Sequence, residues 1–468
     1  MPAEDAEMLI QDFKRNKITK IGDRMFSGEE DETAAFSLCF HQDADGKPIV
    51  GNGSDTNPFV VGVSTKKLLR QADRDPATFI LHLDATYKLT QAGYPVIVVG
   101  LSDRARHFHP LAIFIVSQQK QPQYTEVLQL LQRAFVAVTN KPLRVQYVMG
   151  DADIAQWNAL HDVFGADVCF LMCYFHVAKK VFEKTRSLTP HVAASVMKDL
   201  HTLHFTFSQD ENFVKLDGIQ MCWALVPQLS EFSSYFAKVW LNRRVSRWQC
   251  YHTPSGFATT NNPCETYNAA LKRDVTLRRK LKIGAMLDQL FTLCESESAR
   301  PRPFADAPTP DARVIRRAVA LQRERLLLER RVDRSSIAFL LGGSPPDADS
   351  IVRVVSLPAP RIYDEVLGRT VETLPVSAQL SRLTASMERE GMPHEGWPVD
   401  VERQMCPCRM CSKFGTYVHV LCALSVRGSC DLNGRATLVY RGTCKRRRQV
   451  SAQPAGRPSN SGVALSFQ

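Results

Sequence analysis

Three acidic residues occupy settings suited to an oxygen-rich metal site. Asp84 lies in His82-Leu83-Asp84-Ala85-Thr86-Tyr87-Lys88, Asp151 in Met149-Gly150-Asp151-Ala152-Asp153, and Glu265 in Thr260-Asn261-Asn262-Pro263-Cys264-Glu265-Thr266-Tyr267-Asn268. The first two close strongly β-like apolar runs, and the third lies in a polar loop leading into a helix. Carboxylates delivered from separate segments can converge on divalent cations. Two such ions, about 3.5–4 Å apart, activate an oxygen nucleophile and stabilise a leaving oxyanion, as phosphodiester cleavage requires. Mg²⁺ prefers hard oxygen ligands and usually takes only a few carboxylates, so three acids suffice. The pattern points to nucleic-acid strand-transfer chemistry.

Such acids need rigid elements to hold them. Thr78 to Leu83 is an apolar, β-branched run that ends at Asp84. Val96 to Leu101 and Pro110 to Val116 read as two further strands, with a turn at Gly93-Tyr94-Pro95. Thr125 to Val138 carries apolar residues at helical spacing. Arg144 to Met149 is a fourth strand that ends at Asp151, Ile154 to Phe164 a helix, Asp167 to Met172 a fifth strand, and Tyr174 to Thr185 another helix. Short turns between the first three strands imply antiparallel pairing, and helical crossovers imply parallel strands beyond it. The expected fold class is α/β (α+β), a ribonuclease-H-like mixed sheet with the first and fourth strands side by side. Asp84 and Asp151 would then be neighbours at the sheet centre. Asp153 competes with Asp151, but Asp151 directly ends the strand, and Asp153 suits a helix N-cap. Residues 186–250 read as a mostly helical insertion, and Ser64 to Asp73 as a short helix.

Four motifs in order resemble the transposase domain of Mutator-like elements. They are Asp84-Ala85-Thr86-Tyr87, Gly150-Asp151-Ala152-Asp153-Ile154-Ala155, Cys173-Tyr174-Phe175-His176, and Asn261-Asn262-Pro263-Cys264-Glu265-Thr266-Tyr267-Asn268. The resemblance covers roughly residues 76–295. It implies an Asp-Asp-Glu enzyme in which Asp84, Asp151 and Glu265 bind Mg²⁺ (or Mn²⁺), with the helical insertion between the second Asp and the Glu. It also implies DNA partners (terminal inverted repeats and target DNA), a homo-oligomer and a nuclear location. The alternative is a domesticated, non-catalytic DNA-binding regulator on the same scaffold. Cys173 and His176 match a Cys-x-x-His of the family and are either structural or frame the site. Trp240 and Trp248 are either core or stack on unpaired bases. Arg243, Arg244, Arg247, Lys272 and Arg273 are candidate phosphate contacts. Asn261, Asn262 and Asn268 either orient Glu265, contact phosphates or satisfy loop backbone groups.

The C-terminal part reads differently. Cys406-Pro407-Cys408-Arg409-Met410-Cys411 followed by His419 supplies soft and imidazole ligands suited to tetrahedral Zn²⁺. It resembles the SWIM-type zinc finger. The usual third Cys position holds Tyr417, so Cys411 or Cys422 must stand in. The expected units are an N-terminal region of unclear fold (1–75), the catalytic domain (76–295), a linker and charged helical region (296–400), the finger (401–426) and a basic disordered tail (427–468). That tail holds Arg441, Lys445, Arg446, Arg447 and Arg448, a run suited to phosphate contact or nuclear import.

Composition narrows the class further. The 13 cysteines are an odd number, six of them between Cys406 and Cys444, a clustering that favours metal ligation over a disulfide framework. The net charge of +11 suits a polyanionic partner. No apolar window reaches membrane-spanning length, so no membrane association is expected. Met1 to Glu7 is acidic and unlike a secretion signal, so an intracellular protein is expected.

Overall fold

A computed structural model of the protein describes residues 21–22, 24–39, 43–44, 48–242, 244–300, 302–330 and 350–428. The N-terminal segment Met1–Glu7 and the C-terminal basic run lie outside the described residues. In chain order the first elements are β1 (Ala35–Leu38), β2 (Val60–Thr65), α1 (Lys66–Leu69), β3 (Ile80–Thr86), β4 (Val96–Ser102), β5 (Phe108–Val116), α2 (Gln121–Thr139), β6 (Tyr147–Gly150), α3 (Ile154–Phe164), β7 (Cys169–Met172) and α4 (Tyr174–Lys184). One mixed sheet takes the order β1-β2-β5-β4-β3-β6-β7. The strands from β1 to β3 pair antiparallel, while β3–β6 and β6–β7 are parallel. This is the mixed α/β arrangement expected. The two strands before β3 were not foreseen; they extend the sheet beyond β5.

Both faces of the sheet are covered, so β4 and β5 are buried throughout and mostly apolar. Side chains alternate across a strand. Leu81, Leu83, Ile97, Val99 and Leu101 pack with Val127, Leu128, Leu131 and Phe135 of α2. Val96, Val98, Ile113 and Ile115 pack on the other face with Ile283, Met286, Leu287 and Leu290. The same alternation puts Ile80, His82 and Asp84 on the face opposite α2, and Ile80 clusters there with Met149, Leu171 and Cys173.

The insertion is helical. α5 (Pro190–His204), α6 (Gln209–Ala224) and α7 (Ser230–Trp240) precede α8 (Asn262–Ala270) and α9 (Ile283–Ala299). Trp240 and Trp248 are each 1% exposed, and the Trp248 indole N–H donates to the Trp240 carbonyl at 3.1 Å. Both are core residues, so neither is free to stack on a base.

The chain from 312 onward starts with a charged helix, as expected, and then departs from the expected linker by forming strands. It folds as α10 (Ala312–Arg323), β8 (Leu327–Glu329), β9 (Ile351–Ser356), β10 (Arg361–Asp364), β11 (Arg369–Glu372), α11 (Arg382–Met387), β12 (Trp397–Asp400), α12 (Arg409–Phe414) and α13 (Val418–Val426). The strands form a three-stranded sheet, β12-β9-β8, and a β10–β11 hairpin. Cys406, Cys408, Cys411, Tyr417 and Cys422 share one core with Val314, Ala318 and Leu321 of α10 and Val352 and Val354 of β9. The Cys/His segment is therefore one part of a larger folded unit.

The charge-rich sequence hid this unit because one charge is internal. Arg317 is 3% exposed and donates to Glu372 at 2.9 Å and Glu388 at 2.5 Å, both of them buried. Among the described residues no helix is long and apolar enough to cross a membrane. Removing one partner of a buried ion pair strands the other charges. Arg317→Ala should therefore destabilise this unit by about 3–5 kcal/mol. Urea unfolding of the full chain checks this, and an unchanged midpoint would show the network to be energetically idle.

Candidate active site

Two acids arrive on adjacent parallel strands. β3 and β6 pair Leu81 with Val148 and His82 with Met149. Continuing that register by two residues sets Asp84 opposite Asp151, the first residue after β6. Asp153 takes the role of N-cap, accepting from the Ala155 amide at 2.8 Å.

Glu265 arrives on α8, and three contacts fix where that helix starts. His82 Nδ1 lies 2.7 Å from Asn261 Oδ1, and His82 Nε2 lies 2.7 Å from the Ser102 hydroxyl. An amide oxygen only accepts, so Nδ1 carries the proton and Nε2 accepts from Ser102. Burial holds the His82 imidazole down at about 4, hence neutral, with the Asn261 bond opposing. The Asn261 amide donates to Cys173 Sγ at 3.3 Å, just past the end of β7. One turn into the helix, the Glu265 amide donates to the Asn261 carbonyl at 3.0 Å. Further along, Asn268 Nδ2 donates to Asp84 Oδ2 at 2.7 Å. Positions 261, 265 and 268 share one helix face. The helix is thus pinned to β3 on both sides of Glu265, while Cys264 and Leu271 pack toward α9.

The carboxylates feel one another. Burial first, then Asp151, pushes Asp84 up to about 6, with the Asn268 bond opposing and Glu265 adding to the rise. Burial raises Glu265 too, with His176 lowering it and Asp151 raising it. His176 Nδ1 sits 2.9 Å from Asp151 Oδ1, an ion-pair contact without hydrogen-bond alignment. That contact and Cys173 push the imidazole up to about 10, against its burial. Cys173, His176 and Glu265 each present a ligand atom within 4.8 Å of the others. His176 is therefore a cation set among the acids.

A divalent cation fits this donor set. Glu265 Oε1 and Asn268 Oδ1 are buried oxygens without a hydrogen-bond partner, and Asp151 Oδ1 has only the ion-pair contact with His176. Unpaired buried acceptors are costly and call for a counter-charge or a ligand. Hard oxygens on a sheet and a pinned helix match what Mg²⁺ or Mn²⁺ takes.

The expected phosphate contacts are scattered. Arg243 lies outside the described residues. Arg244 is exposed and sits 5.0 Å from the Trp157 ring centre. Arg247 lies beside Cys169, and its carbonyl accepts from the Met172 amide at 2.9 Å. Lys272 is half-buried, and exposed Arg273 is held by Asp274 at 2.7 and 2.8 Å.

At the Cys/His cluster, Cys406 Sγ and Cys408 Sγ lie 3.6 and 3.2 Å from His419 Nδ1. These three form a buried group able to hold zinc. Cys411, expected with them, instead directs its Sγ to the Gly415 carbonyl at 3.9 Å, and Cys422 lies beside Gln322 of α10. His82 was missed in the sequence. Its signal is a polar residue inside an apolar strand, two positions before Asp84 and so on the same face.

Residues 80–180 match the family model of the MULE transposase domain. That span runs from the start of β3 into α4 and contains Asp84, Asp151, Cys173 and His176. The resemblance seen in the motifs is borne out over this stretch. The match supports a transposase-family function, with the DNA binding and divalent-metal use that such a function implies. No curated protein matches the chain.

The crowding of acids has a stability consequence. Asp84 is raised, so its ionised form opposes folding fully above about pH 6 and not at all below about pH 4, where it is protonated folded and unfolded alike. Asp84→Asn should raise the melting temperature of the metal-free chain by a few degrees at pH 7.5 and leave it unchanged near pH 3.5. Added Mn²⁺ should stabilise the wild type and not the variant. Equal Mn²⁺ shifts in both proteins would remove Asp84 from the metal site.

Proposed function

We propose that this chain is a Mutator-like transposase that cleaves DNA strands at the ends of its element and joins the freed 3′-hydroxyl to target DNA. The observation that supports the reading is that β3 and β6 set Asp84 opposite Asp151, while α8, bonded to Asp84 through Asn268, carries Glu265 into their electrostatic reach. Bound Mg²⁺ or Mn²⁺ supplies the charge that activates water and steadies the departing oxygen. Asp84, Asp151 and Glu265 hold the ions. Asn268 restrains one oxygen of Asp84 and leaves the other free. His176, cationic beside Asp151, adds positive charge where a phosphate must approach.

The remaining parts of the reading follow from the chemistry of joining two ends. A homo-oligomer would bring both terminal repeats together, and the basic run at Arg441, Lys445, Arg446, Arg447 and Arg448 suits import into the nucleus. Cys406, Cys408 and His419 would hold zinc, whose binding would stabilise the C-terminal unit.

A nicking and strand-transfer assay on duplexes carrying the element's terminal repeats tests this. Wild type should nick with Mg²⁺ or Mn²⁺. Asp84→Ala, Asp151→Ala and Glu265→Ala should bind the same duplexes while nicking about a hundred- to a thousandfold more slowly, as loss of a principal electrostatic group does. Wild type that binds the ends without nicking them would leave a DNA-binding regulator, and variants that nick at the wild-type rate would place the chemistry elsewhere.

A further inference from the structure

A cleft of about 1190 Å³ opens beside Glu265 and runs to the C-terminal unit. It exceeds the roughly 300–1,000 Å³ of small-molecule sites. Its lining includes Phe175, Tyr174, His201, Phe205, Lys413 and Arg302, the last paired with Glu297 at 3.2 Å. Among the described residues Glu265 is the one acidic residue lining it. Phe175 is 56% exposed and directly precedes His176, the residue in contact with Asp151.

The C-terminal unit closes this cleft because Arg106 fastens it there. The guanidinium donates to the Gly256 carbonyl at 3.1 Å, to the Ser412 carbonyl at 2.8 Å and to the Lys413 carbonyl. Gly415 completes the junction, since a Cβ on it would lie 2.8 Å from the Gly256 oxygen. Lys413, exposed at this junction, therefore faces the same space as Glu265.

We propose that this cleft holds an unpaired DNA strand flanking the cleavage point, with Phe175 stacking on a base and Lys413 meeting a phosphate. The inference rests on the strand-cleavage reading above. A duplex keeps its base faces in its own stack, so an exposed ring such as Phe175 in a concave wall finds a π-face only on an unpaired base. Aromatic platforms beside cations are how single strands are held without sequence readout. The single acid at one end, amid cations and rings, suits a polyanion whose scissile phosphate lies at the carboxylates. The Cys/His unit then serves the reaction by building one wall of the strand channel.

Fluorescence anisotropy of the full chain in EDTA tests this, with a labelled 12-nucleotide single strand, the matching blunt duplex and a duplex with a four-nucleotide unpaired flank. Wild type should prefer the two probes with unpaired bases. Phe175→Ala should weaken those by about tenfold and leave the blunt duplex unchanged, with Phe175→Trp restoring the preference. Lys413→Ala should weaken the same probes and flatten their salt dependence by about one phosphate contact. Equal affinity of wild type for all three probes overturns the proposal, as does a Phe175→Ala loss shared by the duplex. If the preference holds but wild type never nicks, the cleavage reading fails and the cleft stands. If nicking persists and Phe175→Ala changes no affinity, the reverse is true.

Discussion

The hydrogen bond between His82 and Asn261 ties the amino end of α8 to the centre of the sheet, and the position of Glu265 depends on it. Two of the acids need no such device. Asp84 and Asp151 are brought together by the parallel pairing of β3 with β6, a consequence of the crossover through α2. Glu265 follows a whole helical insertion, and its own loop carries nothing to aim it. The aim comes from neutral, buried His82 on the same strand face as Asp84, supported by Ser102 behind it and Cys173 beside Asn261. The Asn268–Asp84 bond then closes the helix onto the strand on the far side of Glu265. An unpaired buried polar group costs about 1–3 kcal/mol, so this chain of partners specifies one seat for the helix.

The same arrangement concentrates negative charge where burial disfavours it. Asp84 is pushed up to about 6 and Glu265 is raised as well. Only His176 and the Asn268 amide oppose this. Sites that store such tension are those that perturbed carboxylates commonly mark as functional. The buried Glu265 Oε1 and Asn268 Oδ1, without hydrogen-bond partners, say the same in geometric terms.

Much of this was legible in the chain. The apolar runs of β3 to β7 and the helical spacing of α2 announce themselves by period, and the order of strands and helices predicts the β3–β6 adjacency. What was not legible depends on partners far along the chain. His82 is visible as a misfit in an apolar strand, but its partner is 179 positions away. β2 is a β-branched run whose pairing with β5 no local pattern reveals, and a helix reading took its last residues. Arg317 belongs to a charge-rich stretch that reads as solvated until Glu372 and Glu388 come to meet it. Cys411 has the spacing of a ligand, yet the turn after α12 carries its thiol toward Gly415. Trp240 and Trp248 have the composition of stacking residues and the burial of core, whereas the exposed ring stands next to the site, at Phe175.

The central claim is that a helix pinned by His82 and Asn268 delivers Glu265 to the same cation as Asp84 and Asp151. A crystal of the full chain soaked in Mn²⁺ and measured at the manganese edge tests this most directly. An anomalous peak within ligand distance of all three carboxylates is the expected result. A peak confined to Cys173, His176 and Glu265, or none within reach of Asp84, would contradict it.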